Sequence, residues 1–366
     1  MPVGSLFGIR IVVDPSWVFI FALIAWSLAD PQGPLHRTDL SASGRIALGV
    51  LGSLLFFVSV LLHELSHSLV AQTRGVRVSE IRLFIFGGVS VFEGEARDAP
   101  AEAWISVVGP LTSLVLGAAL FGCASVLGPN STIGALLGYL AYVNLALALF
   151  NILPAYPMDG GRVLHSVVWR ITGNRERASD VTVRVGRVFA GLIVAFGIFE
   201  ALAFNVGAGL WTTFIGWFLL QAGGAEASRV AITRALRGHL AGELALPPDV
   251  RIEADTPASR ALDLMRAARV RSIPVVLGDR ILGVVTEDAL ANTPPDDLQR
   301  EYATALMTRI DEIDSLPATS PADDVIQRVG KNRAGAVALT DPKGTIAGIV
   351  TADSVLSWLS RSGSAA

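Results

Sequence analysis

Long apolar stretches dominate the first 224 residues of this chain and set what it can fold into. A helix needs about 20 predominantly apolar residues to cross a bilayer. Six stretches meet or approach that length: Val12–Ala29, Ile46–Ala71, Ile105–Leu127, Ile133–Leu153, Val188–Phe204 and Ala208–Ala222. We therefore predict an α-helical polytopic membrane domain with six transmembrane helices.

The charged residues are distributed unevenly along the chain. Residues 1–224 carry 13 Arg and 13 Asp or Glu, whereas residues 225–366 carry 16 basic and 19 acidic side chains. A wholly soluble, fibrous or disordered protein is excluded by this pattern. A net charge of −3 excludes a generally basic nucleic-acid binder, and a single cysteine excludes a four-cysteine metal site. We predict a membrane domain at 1–224, a juxtamembrane linker helix at 225–240 and a soluble module at 241–366.

Arginines in the loops predict the orientation of the membrane domain. The loops Gln72–Pro100 and Gly160–Arg187 carry four and six Arg, whereas 128–132 and 205–207 carry no Lys or Arg. Basic loops remain in the cytoplasm. We therefore expect a multi-pass protein of the cell membrane, with both termini, the soluble module and the opening of any active site on the cytoplasmic side.

A cluster of ionisable residues interrupts the second apolar stretch. His63 and His67 are four residues apart and share one helix face. Two imidazoles at this spacing can bind one metal ion, and Glu64 is near enough to polarise a bound water. Ionisable groups are expensive in lipid and usually functional, so the spacing predicts a metal site.

A third ligand is predicted where the fourth stretch ends. Two prolines and two glycines break the helix around Asp159, at the cytoplasmic end of the predicted span and at the depth of His63 and His67. A catalytic zinc usually has three protein ligands and one open position. The alternative for Asp159 is a helix-end carboxylate in water.

These two motifs together resemble the site-2 protease family of intramembrane zinc metalloproteases. They are His-Glu-x-x-His at 63–67 and Asn-x-x-Pro-x-x-Pro-x-Asp-Gly-Gly at 151–161, and the resemblance covers about residues 1–225. It implies that His63, His67 and Asp159 bind one Zn²⁺ per chain and that Glu64 is the general base.

The resemblance also implies a substrate: a transmembrane segment, cleaved in or near the lipid bilayer. Regulated intramembrane proteolysis of an anti-sigma factor or a precursor is the expected task. Asn151 and Pro157 match family positions near the site. Asn151 is expected to bind substrate backbone or the developing oxyanion, with a helix-end hydrogen bond as the alternative.

Residues 76–95 predict a β-hairpin directly after the histidine-bearing span. Apolar residues flank Gly87 and Gly88, which are predicted to form the turn. In the family a similar segment enters the membrane and can pair with an unwound substrate. We therefore count Gly87 and Gly88 as candidate substrate-binding residues of a membrane-associated hairpin, with a plain cytoplasmic hairpin as the alternative.

An internal repeat organises the soluble module. Thr256-Pro-Ala recurs as Ser320-Pro-Ala, and Gly283-Val-Val-Thr recurs as Gly348-Ile-Val-Thr. Each copy predicts helix, strand, turn, strand and helix. The repeat resembles a cytoplasmic α/β tandem of CBS domains at about 241–295 and 303–361, a fold that commonly binds adenine nucleotides.

Four residues of the repeat are candidates for binding ATP or AMP: Thr286, Asp288, Thr351 and Asp353. Each aspartate lies two residues after its threonine, where nucleotide-binding CBS domains usually have three. The alternative is that the aspartates cap helices. The pair would then serve as a docking module or form a homodimer.

Two other functions remain open. A membrane transporter or channel gated by CBS domains would use the intramembrane His and Asp as an ion path, although it does not explain their metal-binding spacing. A catalytically dead scaffold would bind a membrane partner, although it would not need to keep His63, Glu64, His67 and Asp159 together.

Overall fold

The computed structural model describes residues 1–33, 40–85, 87–128, 131–329 and 334–362. The chain forms two compact units, Met1–Ser228 and Arg229–Ala366. Each unit is built around its own sheets and helices and is described separately.

Helices with a small sheet make up the first unit. Its elements are β1 (Pro2–Leu6), β2 (Ile9–Val13), α1 (Trp17–Ala29), α2 (Ala42–Thr73), β3 (Arg77–Phe84), β4 (Gly87–Glu93), α3 (Ala99–Leu127), α4 (Thr132–Asn151), α5 (Asp159–Thr172), α6 (Arg175–Ala203) and the larger part of α7 (Val206–Leu236), which continues past Ser228. The sheet order is β1-β2-β3-β4, with β2 and β3 parallel and the other pairs antiparallel. Its inner face packs on α2, where Ile9 and Ile81 meet Val60 and Leu65.

Within the described part of the chain, four helices are long and apolar enough to cross a membrane, namely α2, α3, α4 and α6. The first predicted span is shorter than expected, because Val12 and Val13 belong to β2 and α1 has only 13 residues. Asp14 turns the chain between them by accepting a hydrogen bond from the Ser16 amide at 3.0 Å. The last predicted span and most of the predicted linker helix form one continuous helix, α7.

The strands β3 and β4 of the predicted hairpin region are antiparallel neighbours, and the two glycines do not form a turn between them. Leu83 pairs with Gly88 and Phe84 pairs with Gly87, so both glycines belong to β4. Ile85, directly after β3, is in a turn, and Phe86 lies outside the described residues. Gly88 instead permits a close approach, since a Cβ there would lie 2.5 Å from Glu64 Cγ on α2.

Two similar halves make up the second unit. Its elements are β5 (Ile252–Glu253), α8 (Ala258–Ala268), β6 (Ser272–Leu277), β7 (Arg280–Thr286), α9 (Glu287–Ala291), α10 (Pro295–Arg300), α11 (Ala303–Leu306), β8 (Thr308–Arg309), β9 (Ser315–Pro317), α12 (Ala322–Val329), β10 (Ala336–Thr340), β11 (Ile346–Thr351) and α13 (Ala352–Arg361). The sheets run β5-β6-β7-β8 and β11-β10-β9. Each repeat therefore folds as the predicted helix, strand, strand and helix.

Candidate metal centre

Three side chains from two distant parts of the sequence converge inside the first unit. His63 and His67 lie one turn apart on α2 and are buried, and Asp159 is the first residue of α5. Asp159 Oδ2 is 3.2 Å from His63 Nε2 and 3.1 Å from His67 Nε2. The two Nε2 atoms are 3.2 Å apart. The helical spacing and the break before Asp159 thus bring the three predicted ligands to one point.

Each imidazole is hydrogen-bonded through its Nδ1 atom to a group on α3. His67 Nδ1 donates to the carbonyl oxygen of Ile105 at 2.5 Å, because that oxygen can only accept. A neutral His67 therefore presents the lone pair of Nε2 to the cluster. His63 Nδ1 lies 2.9 Å from Ser113 Oγ, which orients the second ring. Outer hydrogen bonds of this kind fix the tautomer of metal-binding histidines.

The donor set fits a zinc ion. Two imidazole nitrogens and a carboxylate oxygen lie within 4.8 Å of one another. These atoms act as acceptors when the imidazoles are neutral and the carboxylate is ionised. Such atoms repel unless a cation lies among them, and two His with one carboxylate are typical catalytic zinc ligands that leave one position open. Gly109 on α3 leaves space beside these ligand atoms, since a Cβ there would contact the Nε2 atoms of both histidines.

A largely apolar cavity of about 480 Å³ opens onto this cluster. Its lining includes Glu64 and the other predicted residues of the membrane domain: His63, His67, Gly87, Gly88, Asn151, Pro157 and Asp159. Phe56, Phe57 and Val60 contribute to its apolar wall. All eight predicted positions therefore meet at one cavity.

Asn151 also makes the alternative contact considered for it. Its Nδ2 donates to the Leu147 carbonyl oxygen at 3.0 Å, as expected of an amide in the last turn of α4. Asn151 therefore combines a helix-end hydrogen bond with a place in the cavity wall.

Several residues that complete the site carry no sequence signature. Ser113 and the Ile105 carbonyl orient the histidines, and Ser90 on β4 donates to Glu64 Oε2 at 2.8 Å. Arg162, one turn after Asp159, lines the cavity with its guanidinium 5.7 Å from the Phe92 ring centre. A single serine or a backbone carbonyl has no diagnostic spacing, so only the fold reveals these contacts.

The two threonine candidates for nucleotide binding in the second unit make local hydrogen bonds. Thr286 accepts from the Ala289 amide and Thr351 from the Ser354 amide, each at 3.2 Å. The threonines, and not the aspartates, therefore cap α9 and α13. The alternative proposed for the aspartates is wrong because each threonine immediately precedes the first helical residue, where a side-chain oxygen reaches the free amides.

The two aspartates differ from each other. Asp353 accepts from the Arg271 amide at 2.5 Å, which links the second repeat to the first. Asp288 is exposed. The four candidates are therefore distributed over two repeats whose aspartates have unequal surroundings.

The site has two histidines one turn apart, a carboxylate from another helix and an adjacent glutamate. This arrangement is typical of metallopeptidases. Similar proteins identify the family. The pattern of peptidase family M50 matches residues 51–129 and 127–194, and the CBS domain pattern matches 241–294 and 303–361.

A protein of Synechocystis sp. named as a zinc metalloprotease (sll0528) is 32% identical over 98% of this chain and 95% of its own length. Rip3 of Mycobacterium tuberculosis, also named as a zinc metalloprotease, is 36% identical over 65% of this chain and 61% of its own length. A solved site-2 protease of Methanocaldococcus jannaschii is 26% identical, covers 60% of this chain and 94% of its own, and has a TM-score of 0.43.

The chain belongs to peptidase family M50, as a zinc metalloprotease of the site-2 type that also carries two CBS domains. Family membership and the four apolar helices identify it as a membrane-embedded enzyme.

Proposed function

We propose that this chain is an intramembrane zinc endopeptidase that hydrolyses peptide bonds in or near the transmembrane segments of membrane-held regulators. The observation that carries the proposal is the convergence of His63, His67 and Asp159 beside Glu64 in an apolar cavity. An ion path would need polar groups along a pore, whereas this site is a compact donor set.

The catalytic roles follow from the chemistry of these side chains. A zinc ion held by His63, His67 and Asp159, one per chain, would lower the pKa of water toward about 7 and polarise the scissile carbonyl. Glu64 accepts the proton of the attacking water and donates it to the leaving nitrogen. The apolar walls exclude bulk water, which strengthens every charge interaction at the centre.

The edge of β4 is the proposed binding place for an unwound substrate. β4 is the last strand of its sheet, and its residues line the cavity beside Glu64. An extended peptide can add to such an edge through main-chain hydrogen bonds. Gly87, where an added Cβ would meet nothing within 4 Å, leaves space for substrate backbone, and Gly88, Asn151 and Pro157 also line the cavity. In this proposal the hairpin β3–β4 is membrane-associated.

The proposed topology has six spans, with α1 and α7 added to the four long apolar helices. The positive-inside rule puts the Arg-rich loops, both termini and the site opening in the cytoplasm of a multi-pass cell-membrane protein. α1 would cross only by tilting little and by thinning the bilayer around it, because 13 residues span about 20 Å.

The CBS pair is proposed as a regulatory or docking module. Binding of ATP or AMP at Thr286, Asp288, Thr351 and Asp353 would let adenylate state control proteolysis. The hydrogen bond from the Arg271 amide to Asp353 joins the two repeats and supports a response shared by both. Homodimerisation through the pair, and an anti-sigma factor or precursor as substrate, belong to the same proposal.

Metal analysis and cleavage together test the function. Elemental mass spectrometry of detergent-purified wild type should find about one zinc per chain, lost in His67→Ala. A fluorogenic peptide of about 20 apolar residues, in phosphatidylcholine vesicles, should be cleaved by wild type and not by zinc-loaded Glu64→Gln. A folded wild type that holds no zinc even after zinc is added back would contradict the proposal and favour a transporter.

A further inference from the structure

A serine on β4 touches the general base directly. Ser90 Oγ lies 2.8 Å from Glu64 Oε2 and 3.2 Å from the Glu64 carbonyl oxygen. Ser68, one turn after Glu64 on α2, lies 3.0 Å from Ser90 Oγ. Ser68 is fully buried and Ser90 is 8% exposed. The two hydroxyls thus form a buried contact between the strand and the base.

The chemistry of these groups gives the contact a direction. An ionised carboxylate can only accept, so the single hydroxyl hydrogen of Ser90 is committed to its shortest contact, Glu64 Oε2. Ser90 Oγ then accepts the hydroxyl hydrogen of Ser68. One carboxylate oxygen of Glu64 is therefore fixed by a charge-assisted hydrogen bond, and the other is left for the proton of water.

We infer that Ser90 is a positioning residue that holds the Glu64 carboxylate in the orientation needed for proton transfer, with Ser68 orienting Ser90. This inference rests on the proposed function and deepens it. A displacement of about 1 Å at a reacting group can cost about a hundredfold in rate. The two serines remove the freedom that would allow such a displacement.

Ser90 also links the base to the strand proposed to receive substrate. It is two residues after Gly88, whose backbone packs so closely on α2 that a Cβ would lie 2.5 Å from Glu64 Cγ and 3.2 Å from Val60 Cγ1. β4 therefore contacts Glu64 twice, through bare backbone and through a hydroxyl. The orientation of the base consequently depends on the position of this strand.

Replacing the hydroxyl should slow the chemical step without weakening substrate binding. We would measure kcat and KM of the zinc-loaded full chain on the same fluorogenic peptide in phosphatidylcholine vesicles. Ser90→Ala should lower kcat about 10- to 100-fold, with KM and zinc content within about twofold of wild type. Ser90→Thr, which keeps the hydroxyl, should recover most of kcat, and Ser68→Ala should show a smaller loss.

The matched control is Ser79→Ala on β3, an exposed serine whose hydroxyl donates to the Val91 carbonyl oxygen at 3.2 Å. It should leave both constants unchanged. Wild-type kcat in Ser90→Ala, or Ser90→Thr as slow as Ser90→Ala, would overturn the positioning role while the proposed function stands. Should Ser90→Ala not fold, wild-type kcat in Ser68→Ala would overturn the positioning of Glu64 through the two serines. A wild type that cleaves nothing would refute the function, and the positioning role with it.

Discussion

At the scale of single residues, each histidine of the candidate metal centre is oriented by a group on α3. Ser113 lies against His63 Nδ1 and the Ile105 carbonyl against His67 Nδ1. The two contacts leave both Nε2 atoms free to face Asp159. The contact of His63 with the Ser113 side chain can be removed by mutation. The contact of His67 with the Ile105 carbonyl belongs to the backbone and cannot be altered without moving the helix.

Ser113→Ala should weaken zinc binding about 10- to 100-fold, because the His63 ring loses the hydrogen bond that fixes its orientation and tautomer. Competition with a fluorescent zinc chelator would measure the affinity. Ser125→Ala on the same helix is the control, since its exposed hydroxyl bonds only to the Phe121 carbonyl oxygen among described contacts. Equal zinc affinity in the two variants would contradict the role of Ser113.

Gly109→Ala should abolish stoichiometric zinc binding in a folded protein. The added methyl group would contact the Nε2 atoms of both histidines, with His63 Nε2 at 2.8 Å. Elemental mass spectrometry would report the loss. Gly122→Ala lies on the same helix, and no described atom is within 4 Å of its added Cβ. If Gly109→Ala kept one zinc per chain as Gly122→Ala does, the assigned position of the ion would be wrong.

At the scale of elements, β4 packs directly on α2 because Gly88 has no side chain to separate them. Gly88→Ala should push β4 away from Glu64 and abolish cleavage while zinc stays bound, since the atoms nearest to the added Cβ belong to Glu64 and Val60 and not to the histidines. The assay combines peptide cleavage with metal analysis. The control Gly4→Ala alters β1 of the same sheet, where no described atom lies within 4 Å of the added Cβ. Full activity of Gly88→Ala would refute the close approach.

The same elements show what a sequence can and cannot predict. The four-residue spacing of His63 and His67 fixes a helix face, and the proline-rich break before Asp159 fixes a depth, so these positions were predictable from local rules. The prediction of a turn at Gly88 is wrong because a turn glycine and a close-approach glycine look identical in sequence. Ser90 acts across 26 positions on Glu64, and no local pattern encodes such a contact.

Element boundaries were least predictable where apolar residues continue through a change of structure. Val12 and Val13 are as apolar as the span that follows, yet they pair in a sheet. The continuation of α7 to Leu236 was hidden for the opposite reason, because a change from apolar to charged composition looks like an end. Composition identifies the environment of a segment, and hydrogen bonding decides its extent.

At the scale of the whole molecule, the orientation in the membrane is the main quantity to establish. The sole cysteine, Cys123, makes this practical, because Cys123→Ser gives a background free of thiols. On that background, Arg74→Cys should react with a membrane-impermeant maleimide only from the cytoplasmic side, and Phe204→Cys only from the other side. Labelling of both from one side would contradict the six-span topology.

The length of α2 has a consequence for where in the bilayer a substrate is cut. Its 32 residues extend about 48 Å, against a hydrocarbon core of about 30 Å. A helix longer than the core tilts or extends beyond it, to a degree set by bilayer thickness. His63 and His67 occupy its final third, so their depth changes with tilt. Acyl-chain length would thereby select which bond of a spanning segment reaches Glu64, and lipid composition becomes a determinant of cleavage site.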